Sequence, residues 1–244
     1  MGRVRSSRGT SAWPLVAISA LPVWVRLINC RASKEEVVQP LTNTMQSGSF
    51  WDERYGADEY MYGKEPNDFL KQHVDSLPHG SVLCLADGEG RNSVFIATTG
   101  RAAWSVDLST HGPRKTMQLA AERNVEVHAE TADLATYDLG TNRWDAIVSI
   151  FAHMPKEVRA DLHLRAVKAL KPGGVFLLEA YTPAQVGRGT GGPQDASLTM
   201  QLQDLRAELT PLYFEIGQEI DRNVVEGVGH TGMASVVQVI ARKR

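Results

Sequence analysis

Short apolar runs alternate with amphipathic stretches along the chain from residue 81 onward. The runs are rich in β-branched residues and carry few charges. Strands that are covered on both faces, as in a parallel sheet, have this near-continuous apolar character. The pattern predicts five such strands, at residues 81–85, 102–106, 126–129, 146–151 and 175–180.

The stretches between the runs have apolar residues at helical spacing. Leu70, Val74 and Leu77 recur at intervals of four and three, and Asn67 can cap the helix that they predict. Alternating strands and helices indicate an open α/β sheet with right-handed crossovers and helices on both faces. Further helices are predicted at residues 92–99, 113–123, 155–170 and 198–209.

Two more apolar runs, at residues 213–220 and 235–242, have no convincing helix between them. The glycine-rich residues 226–232 join them. They predict an antiparallel hairpin at the end of the sheet. Neither an internal repeat nor a second domain is evident in this pattern.

Composition narrows the class of protein. The chain has 244 residues, 43% hydrophobic and 22% charged, which is typical of one globular domain. Lys and Arg number 26 against 28 Asp and Glu, so the charge gives no reason to expect a nucleic acid or an anionic membrane as partner. Cys30 and Cys84 supply neither a disulfide framework nor a zinc-ligand set, so we expect no bound metal and a reducing, cytoplasmic location.

Residues 1–44 differ from the rest in charge. Six basic residues and no acid precede Glu35, and two prolines interrupt the apolar stretch 13–29. That stretch is too short and too broken to predict a stable membrane span. A targeting peptide, an unstructured extension before a start at Met45, and a membrane anchor all remain open. The folded domain is predicted to cover residues 45–244.

The most informative segment joins the first predicted strand to the helix that follows it. It contains Asp87, Gly88 and Gly90. Glycine allows a tight turn and close approach of the backbone to a ligand, and the helix begins with unpaired N–H groups. Asp107 ends the second strand, 19 residues after Gly88, which suits an acid that binds the two ribose hydroxyls of a nucleoside.

Ser93, Asp133 and Leu134 distinguish between nucleoside cofactors. A dinucleotide fingerprint has a third glycine at the position of Ser93, because the pyrophosphate sits on the helix end. S-adenosyl-L-methionine has no phosphate and does not need that glycine. After the third strand, Asp133 can accept a hydrogen bond from an adenine amino group, and Leu134 can pack on the ring. The segment therefore favours S-adenosylmethionine; a nicotinamide-dependent Rossmann-fold oxidoreductase is the alternative.

Several segments, in their order along the chain, resemble the class I S-adenosylmethionine-dependent methyltransferases. Residues 50–55 and 62–69 are similar to the small tellurite-resistance-like and thiopurine-like branch of that family. The resemblance implies a Rossmann-like seven-stranded sheet and in-line methyl transfer to a small nucleophile such as a thiol or a metalloid. The other segments that carry it are residues 82–92, 106–108, 132–134, 145–149 and 170–174.

The chain departs from the family's pattern at two positions. The family usually has an acid where Cys84 stands and a glycine where Ala86 stands. Because that acid helps to position the methionine part of the cofactor, Asp87 is the candidate replacement. Cys84 itself is expected to be a small buried residue rather than a nucleophile.

Candidate site residues follow from these placements. By resemblance, the N-terminal segment folds over the pocket, so that aromatic rings can face the sulfonium. The ends of the fourth and fifth strands and the glycine-rich turn supply the candidate catalytic groups, which are His153, Tyr181 and His230. The candidate cofactor-binding residues are Trp51, Tyr55, Tyr62, Asp87, Gly88, Gly90, Arg91, Asn92, Asp107, Leu108, Asp133, Leu134, Ser149 and Phe151.

The acceptor is less well defined than the cofactor. No Asn or Asp followed by Pro-Pro comes after the fourth strand, which argues against DNA adenine or glutamine as acceptors. A small molecule is the expected partner. Because the base candidates are weak, a non-catalytic S-adenosylmethionine-binding module also remains open. The glycine-rich residues 187–192 predict either a mobile rim loop or a solvated linker.

Overall fold

The structure, a computed structural model, describes residues 47–244. The interpretations of residues 1–44 lie outside this part of the chain. Residues 47–244 form one seven-stranded sheet with the strand order β3-β2-β1-β4-β5-β7-β6. The strands are β1 (Ser81–Leu85), β2 (Ala102–Asp107), β3 (Val127–Thr131), β4 (Trp144–Ile150), β5 (Leu170–Tyr181), β6 (Tyr213–Glu226) and β7 (His230–Arg242).

The pairing of the strands confirms the predicted sheet. Strands β1 to β5 pair in parallel, and β7 is antiparallel to both β5 and β6. The chain runs outward from β1 to β3 and then returns to place β4 on the other side of β1. Such a reversal opens a crevice at the carboxyl ends of the two central strands, where ligands bind in sheets of this kind.

Six α-helices lie between or before the strands of residues 47–244. The predicted cap is present, since the Asn67 side chain accepts from the Leu70 N–H, but the helix ends at His73 and a 3-10 turn continues it. The first helix was not predicted. The helices are α1 (Gly48–Tyr55), α2 (Asp68–His73), α3 (Arg91–Thr98), α4 (His111–Glu122), α5 (Lys156–Ala169) and α6 (Leu202–Glu208).

The core has two layers because alternate residues of a strand point to opposite faces of the sheet. Leu83 and Leu85 pack with α5 and α6, whereas Val82 and Cys84 pack with α2, α3 and α4 on the other face. Cys84 is 1% exposed, which confirms it as a small buried core residue. Burial raises the pKa of its thiol well above the usual value, so it is a poor nucleophile.

None of the helices in residues 47–244 has the length and apolar character that crossing a bilayer would require.

Candidate active site

A cavity of about 550 Å³ opens where β1, β2 and β4 end. Its volume lies within the range of roughly 300–1,000 Å³ that is usual for small-molecule sites. The structure brings most of the predicted site residues to its wall. They are Trp51, Tyr55, Tyr62, Asp87, Gly88, Arg91, Asn92, Asp107, Leu108, Asp133, Leu134, Phe151, His153 and His230.

Three predicted residues lie behind the wall instead. Gly90 precedes α3, and a Cβ there would come within 2.4 Å of the Thr116 hydroxyl, so this glycine allows α3 and α4 to pack closely. Ser149 is 3% exposed within β4, and Tyr181 is fully buried at the end of β5. These residues support the cavity without lining it.

Asp107 is fixed against the glycine turn. One carboxylate oxygen accepts from the N–H of Gly88 at 2.8 Å, and the other accepts from the N–H of Ser109 at 2.8 Å. Gly88 has φ of +60°, and a Cβ there would lie 2.7 Å from the Tyr55 hydroxyl, so both conformation and space require glycine. Each carboxylate oxygen keeps a free lone pair for a further donor.

Asp87 is a buried acid near the hydroxyls of Ser93 and Ser105. It is 8% exposed, and neither carboxylate oxygen has a donor in hydrogen-bonding geometry within residues 47–244. Burial, with a contribution from Asp107, raises its pKa to about 6, although the hydroxyls of Ser93 and Ser105 oppose this. Leaving such a group unpaired is costly. A cationic or hydrogen-bond-donating ligand group would supply the missing partner.

Asp133 and Leu134 lie at the mouth of the cavity in the loop after β3. Leu134 is 8% exposed and presents an apolar surface to the cavity. Asp133 is exposed, and its Oδ1 accepts from the N–H of Ala135 at 2.8 Å, which holds the loop in shape. The pair follows β3, which is the neighbour of the strand that ends at Asp107.

His230 lies at the opposite end of the cavity. It is 7% exposed, and its ring centre is 4.5 Å from that of Tyr62 and 4.8 Å from that of Phe151. Its Nδ1 is 3.8 Å from Glu226 Oε2. Burial lowers the pKa of His230, while Glu226 acts in the other direction. The imidazole is therefore neutral near pH 7 and able to take a proton.

The geometry of His153 argues against its sequence-based assignment as a base. Its Nδ1 is 3.0 Å from the carbonyl of Leu198, and its Nε2 accepts from the N–H of Tyr181 at 3.3 Å. Burial lowers its pKa to about 4. Since both ring nitrogens are engaged, His153 holds the loop after β4 in place.

Tyr181 also contributes through packing. Its ring stacks on Phe151 with centres 4.4 Å apart, and its hydroxyl has no partner among residues 47–244. Burial, with Glu226 and Glu179, raises the pKa of this hydroxyl. The hydroxyl is therefore protonated and cannot serve as a base near pH 7.

Arg91 and Asn92 line the cavity, and each also bonds to another part of the chain. Arg91 donates to Glu226 Oε2 at 2.6 Å, and Asn92 Oδ1 accepts from the N–H of Asn67 at 3.0 Å. Asn67 in turn donates to Glu226 Oε1 and Glu179 Oε1, both at 2.8 Å. The start of α3 is thereby tied to the segment before α2 and to the hairpin.

A buried ion pair that the sequence analysis missed holds the N-terminal segment over the glycine turn. Lys115 lies 2.6 Å from Glu89 and also donates to the carbonyls of Ala57 and Glu59, at 2.8 and 2.7 Å. Glu89 Oε2 accepts from the N–H of Met61 at 2.8 Å. Glu89 could have been identified from the sequence, because it stands between two glycines of the predicted ligand-binding turn. Lys115 could not, because the helical pattern does not distinguish it from other lysines.

Gly191 and Gly192 pack on the rim of the cavity, whereas Gly187 and Gly189 of the same glycine-rich segment are exposed. A Cβ on Gly191 would lie 2.7 Å from the carbonyl of Gly229, and one on Gly192 would lie 2.6 Å from the Tyr181 ring. The Gln185 side chain donates to the Gly191 carbonyl at 3.0 Å. These contacts place the end of the segment against the hairpin turn, while its first half is solvated, as the linker interpretation expects.

Known proteins resemble this chain in sequence and in fold. The sequence profile of a methyltransferase domain family matches residues 82–174. A 2-heptyl-1-hydroxyquinolin-4(1H)-one methyltransferase of Mycobacteroides abscessus is 25% identical over 138 residues. That alignment covers 55% of this chain and 61% of the relative, so the chain matches less than two thirds of its length.

Two solved structures show the same fold. TehB from Haemophilus influenzae has a TM-score of 0.60 and 18% identity, over 81% of this chain and 67% of that one. Magnesium protoporphyrin IX methyltransferase from Synechocystis PCC 6803, solved with bound SAH, has a TM-score of 0.57 and 17% identity, over 82% and 96%.

The sheet order and the position of the cavity define a class I methyltransferase fold. Residues 82–174 match a methyltransferase domain family, and a protein of the same fold has been solved with bound SAH, so S-adenosylmethionine is the cofactor that these findings indicate. This result favours methyl transfer over the nicotinamide alternative. The residues present also fit the cofactor, because the unpaired carboxylate of Asp87 and the fixed carboxylate of Asp107 offer partners for an ammonium group and a ribose diol.

Proposed function

We propose that the protein is an S-adenosylmethionine-dependent methyltransferase that acts on a small nucleophile. One observation carries the proposal: the buried, unpaired Asp87 lies beside the glycine turn that Asp107 fixes, at the carboxyl ends of the central strands. Asp87 lacks a donor and Asp107 keeps free lone pairs, so the two acids suit a ligand with a cationic group and hydroxyl donors. S-adenosylmethionine has both.

The cofactor-binding roles follow from the placement of each group. Asp107 would accept from the ribose hydroxyls, Asp87 would accept from the ammonium group, and the Asp133–Leu134 pair would hold the adenine. Trp51, Tyr55 and Tyr62 supply aromatic faces, which attract a sulfonium by roughly 0.5–2 kcal/mol. When bound, the cofactor supplies the electrophilic methyl group. The protein aligns the acceptor and excludes water around it.

His230 is the residue best placed to take a proton from the acceptor. It is neutral, lines the cavity and has Glu226 3.8 Å from its Nδ1. The Glu226 carboxylate would orient the ring and stabilise its protonated form. A positioned base of this kind typically contributes about 10²–10⁴-fold to the rate.

Two kinds of acceptor are compatible with this site. The resemblance to the tellurite-resistance-like and thiopurine-like branch supports a thiol, a metalloid or another soft nucleophile, and the fold of TehB agrees with it. The substrate named for the Mycobacteroides abscessus relative supports a hydroxyl on an aromatic heterocycle as a second candidate. Both are small molecules.

Calorimetric titration tests the proposal most directly. We expect S-adenosylhomocysteine and S-adenosylmethionine to bind the chain, and a screen of small thiols, hydroxylated heterocycles and selenite to release S-adenosylhomocysteine with at least one acceptor. Absence of binding by either cofactor form at high micromolar concentration would contradict the proposal. Binding without turnover across the screen would favour the non-catalytic module instead.

A further inference from the structure

We infer that the His230 end of the cavity is a subsite for a flat, apolar aromatic acceptor that carries an ionisable hydroxyl or thiol. This inference rests on the proposed function, because it identifies the molecule that receives the methyl group. It is built on the lining, the strained backbone and the charges at that end of the cavity.

The lining next to His153 and Phe151 includes an apolar part. Met154, Pro155 and Val158 follow His153 and line the cavity where α5 begins, and Leu198, whose carbonyl lies 3.0 Å from His153 Nδ1, lines it together with Pro193. Sites that bind apolar small molecules have this character, with a few polar groups to orient the ligand. A hydrophilic acceptor would lose its hydration here without gaining hydrogen bonds.

Phe151 gives this end a fixed aromatic surface. Its φ is +52°, in the left-handed region that bulky residues rarely adopt. The backbone is held there by the Phe151 N–H, which donates to the Glu179 carbonyl at 2.8 Å, and the ring stacks on Tyr181. Strain that is maintained at a cavity wall is typical of a functional position. The edge-on contact with His230, at 72°, places the proposed base beside this surface.

The charges at this end disfavour an inorganic oxyanion. The Arg91 guanidinium is neutralised by Glu226 at 2.6 Å, and the Arg54 guanidinium donates to the Tyr62 hydroxyl at 3.0 Å. The Arg91 charge is therefore already compensated, whereas the Arg54 guanidinium has a neutral partner, so an oxyanion would have to compete with the Tyr62 hydroxyl for it. A neutral acceptor avoids this cost and becomes anionic only as its proton leaves.

The proposed step balances as follows. The acceptor oxygen or sulfur forms a bond to the methyl carbon while the carbon–sulfur bond of the cofactor breaks, and that electron pair stays on the cofactor's sulfur. The acceptor's proton passes to His230, beside Glu226. The products are a methyl ether or thioether, S-adenosylhomocysteine and a protonated His230, which later returns its proton to water.

The test compares two substitutions on α5. Val158 lines the cavity, whereas Leu164 on the same helix is 58% exposed, so Leu164→Asp is a matched control for Val158→Asp. With S-adenosylhomocysteine bound, we expect 2-naphthol to bind the wild type and to bind the Val158→Asp variant at least tenfold more weakly. Affinity for S-adenosylhomocysteine should be unchanged in both variants and reports that they fold. If Val158→Asp does not fold, the uncharged Val158→Asn replaces it.

Turnover provides the second measurement. With S-adenosylmethionine, we expect methylation of 2-naphthol or 2-naphthalenethiol at a higher kcat/KM than of 2-mercaptoethanol or selenite. Equal binding of 2-naphthol by the wild type and the Val158→Asp variant, or faster turnover of selenite or 2-mercaptoethanol, would overturn the inference. Failure of the wild type to bind S-adenosylhomocysteine would overturn the proposed function itself, so the two failures are distinguishable.

Discussion

The guanidinium of Arg91 and the carboxylate of Glu226 meet at 2.6 Å beneath the cavity, although 135 residues separate them in the chain. Their side chains are only 8% and 3% exposed. The pair joins the first turn of α3 to the end of β6. It therefore fixes the hairpin that carries His230 relative to the glycine turn.

Removing the charge of Glu226 should destabilise the fold strongly. Glu226→Gln leaves the Arg91 guanidinium buried without a counter-charge, which typically costs about 3–5 kcal/mol. Urea denaturation measures the change in the free energy of unfolding. Glu215→Gln is the matched control, because Glu215 lies on the same strand and pairs with Arg242 in a half-exposed position. A surface pair contributes about 0–1 kcal/mol, so equal effects of the two substitutions would contradict this prediction.

Asp107→Asn should weaken cofactor binding and leave the fold intact. In the wild type, the backbone N–H groups of Gly88 and Ser109 each donate to one carboxylate oxygen of Asp107. The amide of the variant keeps one acceptor oxygen, and its NH₂ group must face one of these two N–H donors. Hydrogen bonds to a charged group contribute about 1.5–3 kcal/mol, so we expect the Kd for S-adenosylhomocysteine to rise about 10- to 150-fold. Calorimetric titration provides the value. Asp138→Asn, on an exposed loop where Asp138 accepts from the N–H of Gly140, should leave the Kd unchanged.

His230→Gln should reduce turnover by about 10²–10⁴-fold without changing the affinity for S-adenosylhomocysteine. Because burial lowers the pKa of His230, the acidic limb of kcat/KM for the wild type should lie below 6.5, its ordinary value. Because His230 stays neutral over a wider pH range than an ordinary histidine, the enzyme should remain active in mildly acidic solution. His128→Gln, at an exposed position on β3, serves as the control. Wild-type kcat in the His230→Gln variant would remove His230 as the base.

The hydrophobic pattern predicted the sheet well because buried parallel strands consist of apolar residues on both faces. It ended β6 six residues early, since Arg222 and Glu226 are charged although Glu226 is buried. Their burial depends on partners such as Arg91 and Glu179, which only the folded chain brings close. A local pattern contains no information about such pairings.

The candidate site was likewise predicted where it depends on local spacing and missed where it depends on distant contacts. The spacing of Gly88 and Asp107 identified the nucleoside end, because a turn after one strand and an acid after the next meet at one sheet edge. His153 was chosen as a base by its position after the fourth strand. Its engagement with the Leu198 carbonyl and the Tyr181 N–H depends on a loop whose path the sequence does not specify.

Ala86→Gly should be tolerated far better than Ala132→Gly. Ala86 has φ of +48°, a left-handed conformation that costs a non-glycine residue about 1–2 kcal/mol. Glycine removes that strain, which offsets its own entropic cost of roughly 0.5–1 kcal/mol. Ala132 is a fair comparison, because it packs against the same core cluster and does not have a positive φ. We expect Ala86→Gly to have the higher free energy of unfolding by about 1 kcal/mol or more; the reverse order would show that the turn is unstrained.

The buried His153 should make the fold less stable in acid. Its pKa is about 4, against 6.5 for an ordinary histidine, because burial disfavours the charged ring. Between these values the unfolded chain binds more protons than the native one, so this group's contribution is complete above pH 6.5 and decreases as the pH falls to about 4. The loss is at most about 3 kcal/mol.

Asp87 changes the stability of the fold in the opposite direction over part of the same pH range. Its pKa is raised to about 6 from 3.8, so the native chain binds more protons there and gains stability as the pH falls. The profile of the wild type alone therefore cannot isolate His153. The difference between the wild type and His153→Asn, measured by urea denaturation from pH 7 to pH 4, removes the Asp87 contribution. We expect that difference to shrink as the pH falls, because the variant has no imidazole to charge; a constant difference would show that His153 titrates normally in the fold.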